Sequence, residues 1–274
     1  MNLKFVPVYF LLFLLAAIGL ESAHAQNQIV TYHTQENTVY RTGDNLPEDM
    51  QSRCRLDIYY PENRKGFQTV VWFHGGGLTG GEKFIPERMK NKDIAIVAVN
   101  YRLHPAVKNP AYIEDAAAAV AWVFNNIERY GGSRENIILS GHSAGGYLAM
   151  MVGLDKRWLA GYGLDADAIR MLVPFSGHTI THMTIRKESG ISDKQPVVDE
   201  FAPLWHVRRD APPLHLITGD RELEMLGRYE ENAYMWRMMK VAGHDSTFLY
   251  ELDGFDHRGM ADPGYDLLLK IIRK

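Results

Sequence analysis

The stretch Leu139-Ser140-Gly141-His142-Ser143-Ala144-Gly145-Gly146 ends a short apolar run in a glycine-flanked serine and opens a helix-forming segment. This is the pattern of a nucleophile elbow, in which a sharp strand-to-helix turn pushes a serine Oγ clear of the sheet. The glycines matter as missing side chains. Gly141 lets the chain turn tightly, and Gly145 lets the following helix pack close to a strand. The five-residue pattern is common, so the rest of the chain has to supply the partners that acyl transfer needs.

Working outward from the elbow, the chain alternates strand and helix patterns. Upstream, Leu56 to Pro61 alternates and stops at proline, and Thr69 to Phe73 is a continuous β-branched and aromatic run of the kind buried on both faces. A short helical segment is expected around Phe84 to Lys90, then a buried strand from Ile94 to Val99. Apolar residues recur with helical period from Ile113 to Ile127, and Gly131-Gly132 ends that helix. A first edge strand is expected near Ile29 to Tyr32 or Thr38 to Arg41.

Downstream, strands are expected over Ile169 to Phe175, Leu214 to Gly219 and Thr247 to Leu252, with helix faces marked by Leu226 to Trp236 and Tyr265 to Ile272. Residues 177–206 are polar and threonine-rich without sustained period, and read as a small insertion or lid above the sheet. The expectation is one α/β domain: a mostly parallel sheet of about eight strands flanked by helices. Active sites in such sheets lie at the carboxyl ends of the strands.

The first residues and the composition bound the setting. Met1 to Ala25 carries Lys4, an apolar run from Phe5 to Leu20 and Ala23-His24-Ala25, which reads as a secretory signal peptide rather than a span. Residues 26–274 then form the mature chain, with secreted or periplasmic localisation and no stable membrane anchor. The single Cys54 cannot form an intramolecular disulfide and is expected to be a small buried apolar residue. Thirty basic and thirty-three acidic residues give a net charge of −3, and nothing points to nucleic acid. Oligomeric state is not legible.

Serine-based acyl transfer needs a nucleophile, a base, an acid that orients the base, and donors for the oxyanion. Ser143 is the nucleophile candidate, and the N–H of Ala144 would be the first oxyanion donor. His74-Gly75-Gly76-Gly77 follows the strand ending at Phe73, where glycines let backbone N–H groups approach a carbonyl oxygen. His257, in the loop after the final strand, stands where the base falls in the order serine, acid, histidine. The acid follows Gly219, where Asp220, Glu222 and Glu224 all offer carboxylates. Glu224 reads as the start of the next helix. The pattern alone does not choose between Asp220 and Glu222.

His178 and His182 stand four apart with no third ligand, so no metal and no cofactor is expected. His74 and His142 are expected to brace the site.

Together these stretches resemble the esterase side of the α/β-hydrolase fold, near the hormone-sensitive-lipase-like esterases, the acetyl xylan/feruloyl esterases and the kynurenine formamidases. The matching pieces are His74 to Gly77, Asn100 to Pro105, Gly141 to Gly146, Ala211-Pro212-Pro213 and Gly254 to His257. The resemblance implies an acid three positions after the glycine that closes its strand, hence Glu222, and implies Gly76 and Gly77 as oxyanion donors beside Ala144. Many relatives have aspartate at that acid position, and Asp220 remains the second choice. The elbow's Gly-His-Ser, where hormone-sensitive-lipase-like members often have Gly-Asp-Ser, pulls toward the xylan-esterase and formamidase branch.

The implied activity is that of a serine carboxylesterase on small acyl esters, acetyl or feruloyl groups on plant polysaccharide among them. Its partner would be a small-molecule or polysaccharide-linked ester. The alternatives are an aryl formamidase, a serine peptidase, or a binding member of the fold without catalysis.

Overall fold

The computed structural model describes residues 29–273, so the expected signal peptide, Met1 to Ala25, lies outside the described residues. Eight strands form one sheet: β1 (Tyr32–Val39), β2 (Arg55–Pro61), β3 (Phe67–Phe73), β4 (Ala95–Val99), β5 (Gly132–His142), β6 (Met171–Phe175), β7 (Leu214–Gly219) and β8 (Thr247–Leu252). Their order across the sheet is β1-β2-β4-β3-β5-β6-β7-β8. β2 pairs antiparallel with both β1 and β4, and every pairing from β4 through β8 is parallel.

Among the described residues, seven helices accompany them: α1 (Glu48–Arg53), α2 (Ala111–Tyr130), α3 (Ala144–Leu154), α4 (Arg157–Ala160), α5 (Met183–Glu188), α6 (Arg228–Val241) and α7 (Ala261–Ile272).

The central strands read as unbroken apolar runs because both faces are covered. Side chains alternate across a strand, so successive residues feed different cores. Val71 and Phe73 of β3 join Val97, Leu139 and the buried faces of α2 and α3. Val70 and Trp72 join Ile96, Ile138 and Leu268 of α7 on the other face. Trp72 is fully buried, edge-on to Phe175 at 5.4 Å between ring centroids. Cys54 is also fully buried, and burial pushes its thiol up to about 12, so it packs as a small apolar residue. α2 stops where expected: Gly131 adopts φ +97° and its N–H returns to the carbonyls of Ile127 and Glu128.

Two local expectations are corrected and one element is added. The segment Phe84 to Lys90 makes only a single 3-10 turn over Glu87–Met89. Pro86 immediately precedes that turn and Lys90 is extended after it, which leaves no room for an α-helix. The acidic stretch before Cys54 forms α1, with no buried residue on it, so no apolar period marked it beforehand. α6 begins at Arg228, and the residues before it form a separate turn, so Glu224 does not open the helix.

Residues 177–206 leave β6 as loop around α5 and a 3-10 turn over Pro203–His206. Glu231 of α6 ties this segment down by accepting from the backbone N–H of Thr179 at 3.1 Å and of Ile180 at 3.2 Å.

Candidate active site

Five strand ends converge at one edge of the sheet. β3 runs into His74 to Gly77, β5 into Ser143, β6 into Ser176, β7 into the turn holding Glu224, and β8 into the loop of His257. Parallel strands end together, so chain segments far apart in sequence deliver their next residues to the same place.

Ser143 stands at φ 56°, ψ −115°, a left-handed conformation that costs a non-glycine residue roughly 1–3 kcal/mol. The turn is held by the Ser143 N–H, which donates to the Phe175 carbonyl at 2.8 Å. Gly145 cannot be larger: a Cβ there would stand 2.0 Å from the Phe73 carbonyl oxygen. The close approach of α3 to the end of β3 therefore depends on that missing side chain. At Gly75 a Cβ would lie 3.4 Å from that of Ser143, so the glycine loop runs against the elbow. Gly76 and Gly77 take φ values of +118° and +65°, and a turn closes on the Gly76 carbonyl, which accepts from Thr79 and Gly80.

His142 and His257 are coupled. His142 Nε2 donates to the His257 carbonyl at 2.7 Å, which ties the loop after β8 to the residue preceding Ser143. Burial first, then the neighbouring His257, lowers the His142 pKa to about 4, so its ring is neutral with the proton on Nε2. His74 is also neutral, its pKa lowered to about 4 by burial, with its ring stacked on Tyr101 at 4.4 Å. These two histidines brace the loops on either side of Ser143.

The carboxylate on the imidazole is Glu224, not Glu222. Glu224 Oε1 lies 2.5 Å from His257 Nδ1, and its side chain is fully buried. Glu222 is exposed, and its backbone N–H donates to Asp220 Oδ1 at 2.9 Å. Turn geometry explains the exchange. The Asp220 carbonyl accepts from the N–H of both Leu223 and Glu224, so residues 220–224 make one helical turn. At about 100° per residue, position 222 is carried roughly 200° away from Asp220 and position 224 comes back to within about 40°. Asp220 serves the loop instead, accepting from Gly254 N–H at 2.8 Å while its own N–H donates to Phe255.

Four donors converge on Glu224: His257 Nδ1 and Met225 N–H on Oε1, and Ser176 Oγ at 2.7 Å and Gly219 N–H at 3.2 Å on Oε2. Burial alone would raise its pKa, but the bond to His257, its charge and the Ser176 bond outweigh that and lower it to about 2. Ser176 was not anticipated. Its Oγ also lies 2.9 Å from His257 Nδ1, and its φ of 45° is strained like that of Ser143. No motif marks it, because it is defined only by standing at the end of β6 beside β7. With both acceptors on Nδ1, that nitrogen carries the proton and Nε2 keeps its lone pair.

His178 and His182 are packed together in the fold. Their rings meet edge-on at 4.9 Å, and His178 is engaged by Glu231 and Arg228.

A parallel sheet with an elbow after β5 and an imidazole arriving from β8 places the molecule among the α/β-hydrolases. A serine as the elbow residue narrows this to the serine hydrolases. The comparison with known proteins narrows it again. Residues 56–225 match the family BD-FAE, and the chain belongs to that family.

It is 27% identical over 223 residues to the esterase LipC of Mycobacterium tuberculosis, covering 72% of this chain and 51% of LipC. It is 35% identical over 127 residues to a probable isoprenylcysteine alpha-carbonyl methylesterase of rice, covering 44% of this chain and 29% of that protein. The chain thus spans about half or less of the length of these relatives. A solved truncated form of a carbohydrate esterase from gut microbiota shares the fold with a TM-score of 0.73 at 16% identity, over 90% of this chain and 97% of that one.

Proposed function

We propose that this protein is an exported serine carboxylesterase that hydrolyses small acyl esters through an acyl-enzyme, with acetyl or feruloyl groups on plant polysaccharide as its substrates. The observation that carries the chemistry is the imidazole of His257, held by buried Glu224 on a loop bonded to the residue preceding Ser143. The signal-peptide pattern of Met1 to Ala25 is what directs the choice of substrate outside the cell.

Ser143 Oγ attacks the ester carbonyl carbon while His257 Nε2 takes its proton. The negative oxygen of the tetrahedral intermediate is held by the N–H groups of Gly76, Gly77 and Ala144. Collapse expels the alcohol, which receives the proton from Nε2, and water then repeats the sequence on the acyl-enzyme. Glu224 keeps the Nδ1 proton in place and stabilises the imidazolium that forms at each step.

Ser143→Ala tests this against p-nitrophenyl acetate. A loss on the order of a millionfold in kcat is expected for a triad nucleophile. Hydrolysis at the parent rate, or failure of a fluorophosphonate probe to label Ser143 in the parent, overturns the reading. Release of acetate from acetylated xylan and of ferulate from feruloylated arabinoxylan tests the substrate choice, and activity on neither removes it.

A further inference from the structure

Beside the glycine loop lies a cavity of about 760 Å³, walled by residues of the 177–206 segment and by the turn between Glu224 and α6. Ser143 and His257 do not line it, but it adjoins the site on two sides. Met183 is one wall, and its Cε closes the space beside Gly77, where a Cβ would stand 3.5 Å away. Met225 is another wall and directly follows Glu224.

One group lining this cavity is out of balance. Arg186 is only 4% exposed, yet among the described residues no carboxylate forms an ion pair with it. One of its nitrogens donates to the Gln195 carbonyl, while Nε is buried with no hydrogen-bond partner. The nearby carboxylates are already engaged. Glu231 Oε1 accepts from His178 and from Arg228 Nε, both at 2.8 Å, and Oε2 accepts from the N–H groups of Thr179 and Ile180. A carboxylate offers about four acceptor positions, so Glu231 has none left for Arg186. Asp193 is paired with Lys187 at 2.8 Å. Lys194 adds a second positive charge at the exposed edge.

Glu231 and Asp193 are close enough to act on this guanidinium but neither pairs with it, so a buried Nε stays unpartnered, and its planar fork of N–H donors matches a carboxylate. We propose that the cavity is a substrate subsite for a carboxylate borne by the ester, remote from the scissile bond, with Arg186 as its counter-ion. Ile180, Met183 and Leu226 line the same cavity and would cover the apolar piece that joins that carboxylate to the reacting carbonyl. This rests on the ester-hydrolase reading above and adds a substrate class to it.

The test uses isosteric pairs that differ only in charge. On the alcohol side these are 4-acetoxybenzoate and 4-acetoxybenzamide. On the acyl side they are the mono-4-nitrophenyl ester of adipic acid and the 4-nitrophenyl ester of adipamic acid. In the parent protein the acid should exceed the amide in kcat/KM by about tenfold or more in at least one pair, as expected for a charge-assisted hydrogen bond. In Arg186→Met that ratio should fall to near one.

A measurement that needs no variant is inhibition of the parent. 4-Hydroxybenzoate should compete with p-nitrophenyl acetate, whereas 4-hydroxybenzamide at the same concentration and ionic strength should not. The proposal is overturned if neither acid is preferred, if the preference survives in Arg186→Met, or if acid and amide inhibit equally. If no ester of either kind is cleaved, it is the hydrolase reading that fails.

Discussion

Glu224 Oε1 stands 2.5 Å from His257 Nδ1, although seven exposed or half-exposed residues, 220–223 and 225–227, flank it in sequence and a glutamate two positions earlier answers the family pattern better. The exchange is directly measurable. Glu224→Gln should lower kcat on p-nitrophenyl acetate by roughly 10⁴-fold, in the range found when a triad acid is replaced. Glu222→Gln should stay within about threefold of the parent, as a solvent-exposed side chain without a bond to the imidazole. The reverse ranking would return the role to Glu222.

Ser176 is a positioning residue, since it acts on the imidazole through Glu224 and Nδ1. Ser176→Ala removes one of four donors to a buried carboxylate, and bonds to charged groups are worth about 1.5–3 kcal/mol. We expect kcat to fall by roughly 10–100-fold with KM nearly unchanged, because the lost bond orients the base and does not touch substrate. A rise in KM at constant kcat would mean that the hydroxyl serves binding instead.

Acid should weaken the fold in two steps. His74 and His142 titrate near 4 in the folded protein against an ordinary 6.5, so as pH falls through 6.5 only the unfolded chain gains those protons. Stability is therefore lost between about 6.5 and 4 on this account. Glu224, lowered from an ordinary 4.5 to about 2, adds a further loss as pH falls through that lower window. In His74→Phe, which keeps a ring against Tyr101, the slope of unfolding free energy between pH 6.5 and 4 should be shallower by up to ~1.4 kcal/mol per pH unit. Denaturant titrations at several pH values measure it, and parallel curves for parent and variant would contradict it.

The parts of the site that were legible beforehand are those whose identity is local. Ser143, His257 and the glycines of residues 75–77 each announce themselves by immediate neighbours: glycines that permit a close approach, or a loop position after the last strand. The parallel sheet was legible for a similar reason, because strands covered on both faces must be continuous apolar runs. The insertion of residues 177–206 showed itself only as a loss of period. That Glu231 ties it to α6 beside a cavity had no local sign.

By itself, then, the sequence determined the alternating architecture, the elbow serine and the terminal histidine. Each depends on backbone preferences and burial patterns that act over a few residues. Tertiary structure decided which of three carboxylates faces the imidazole, that Ser176 joins them, and that Arg186 is buried without an ion-pair partner. Those outcomes depend on how a single helical turn after β7 is rotated, and on which strand ends the sheet order makes neighbours. Distances across a sheet are set by packing of the whole domain, and no window of the chain contains them.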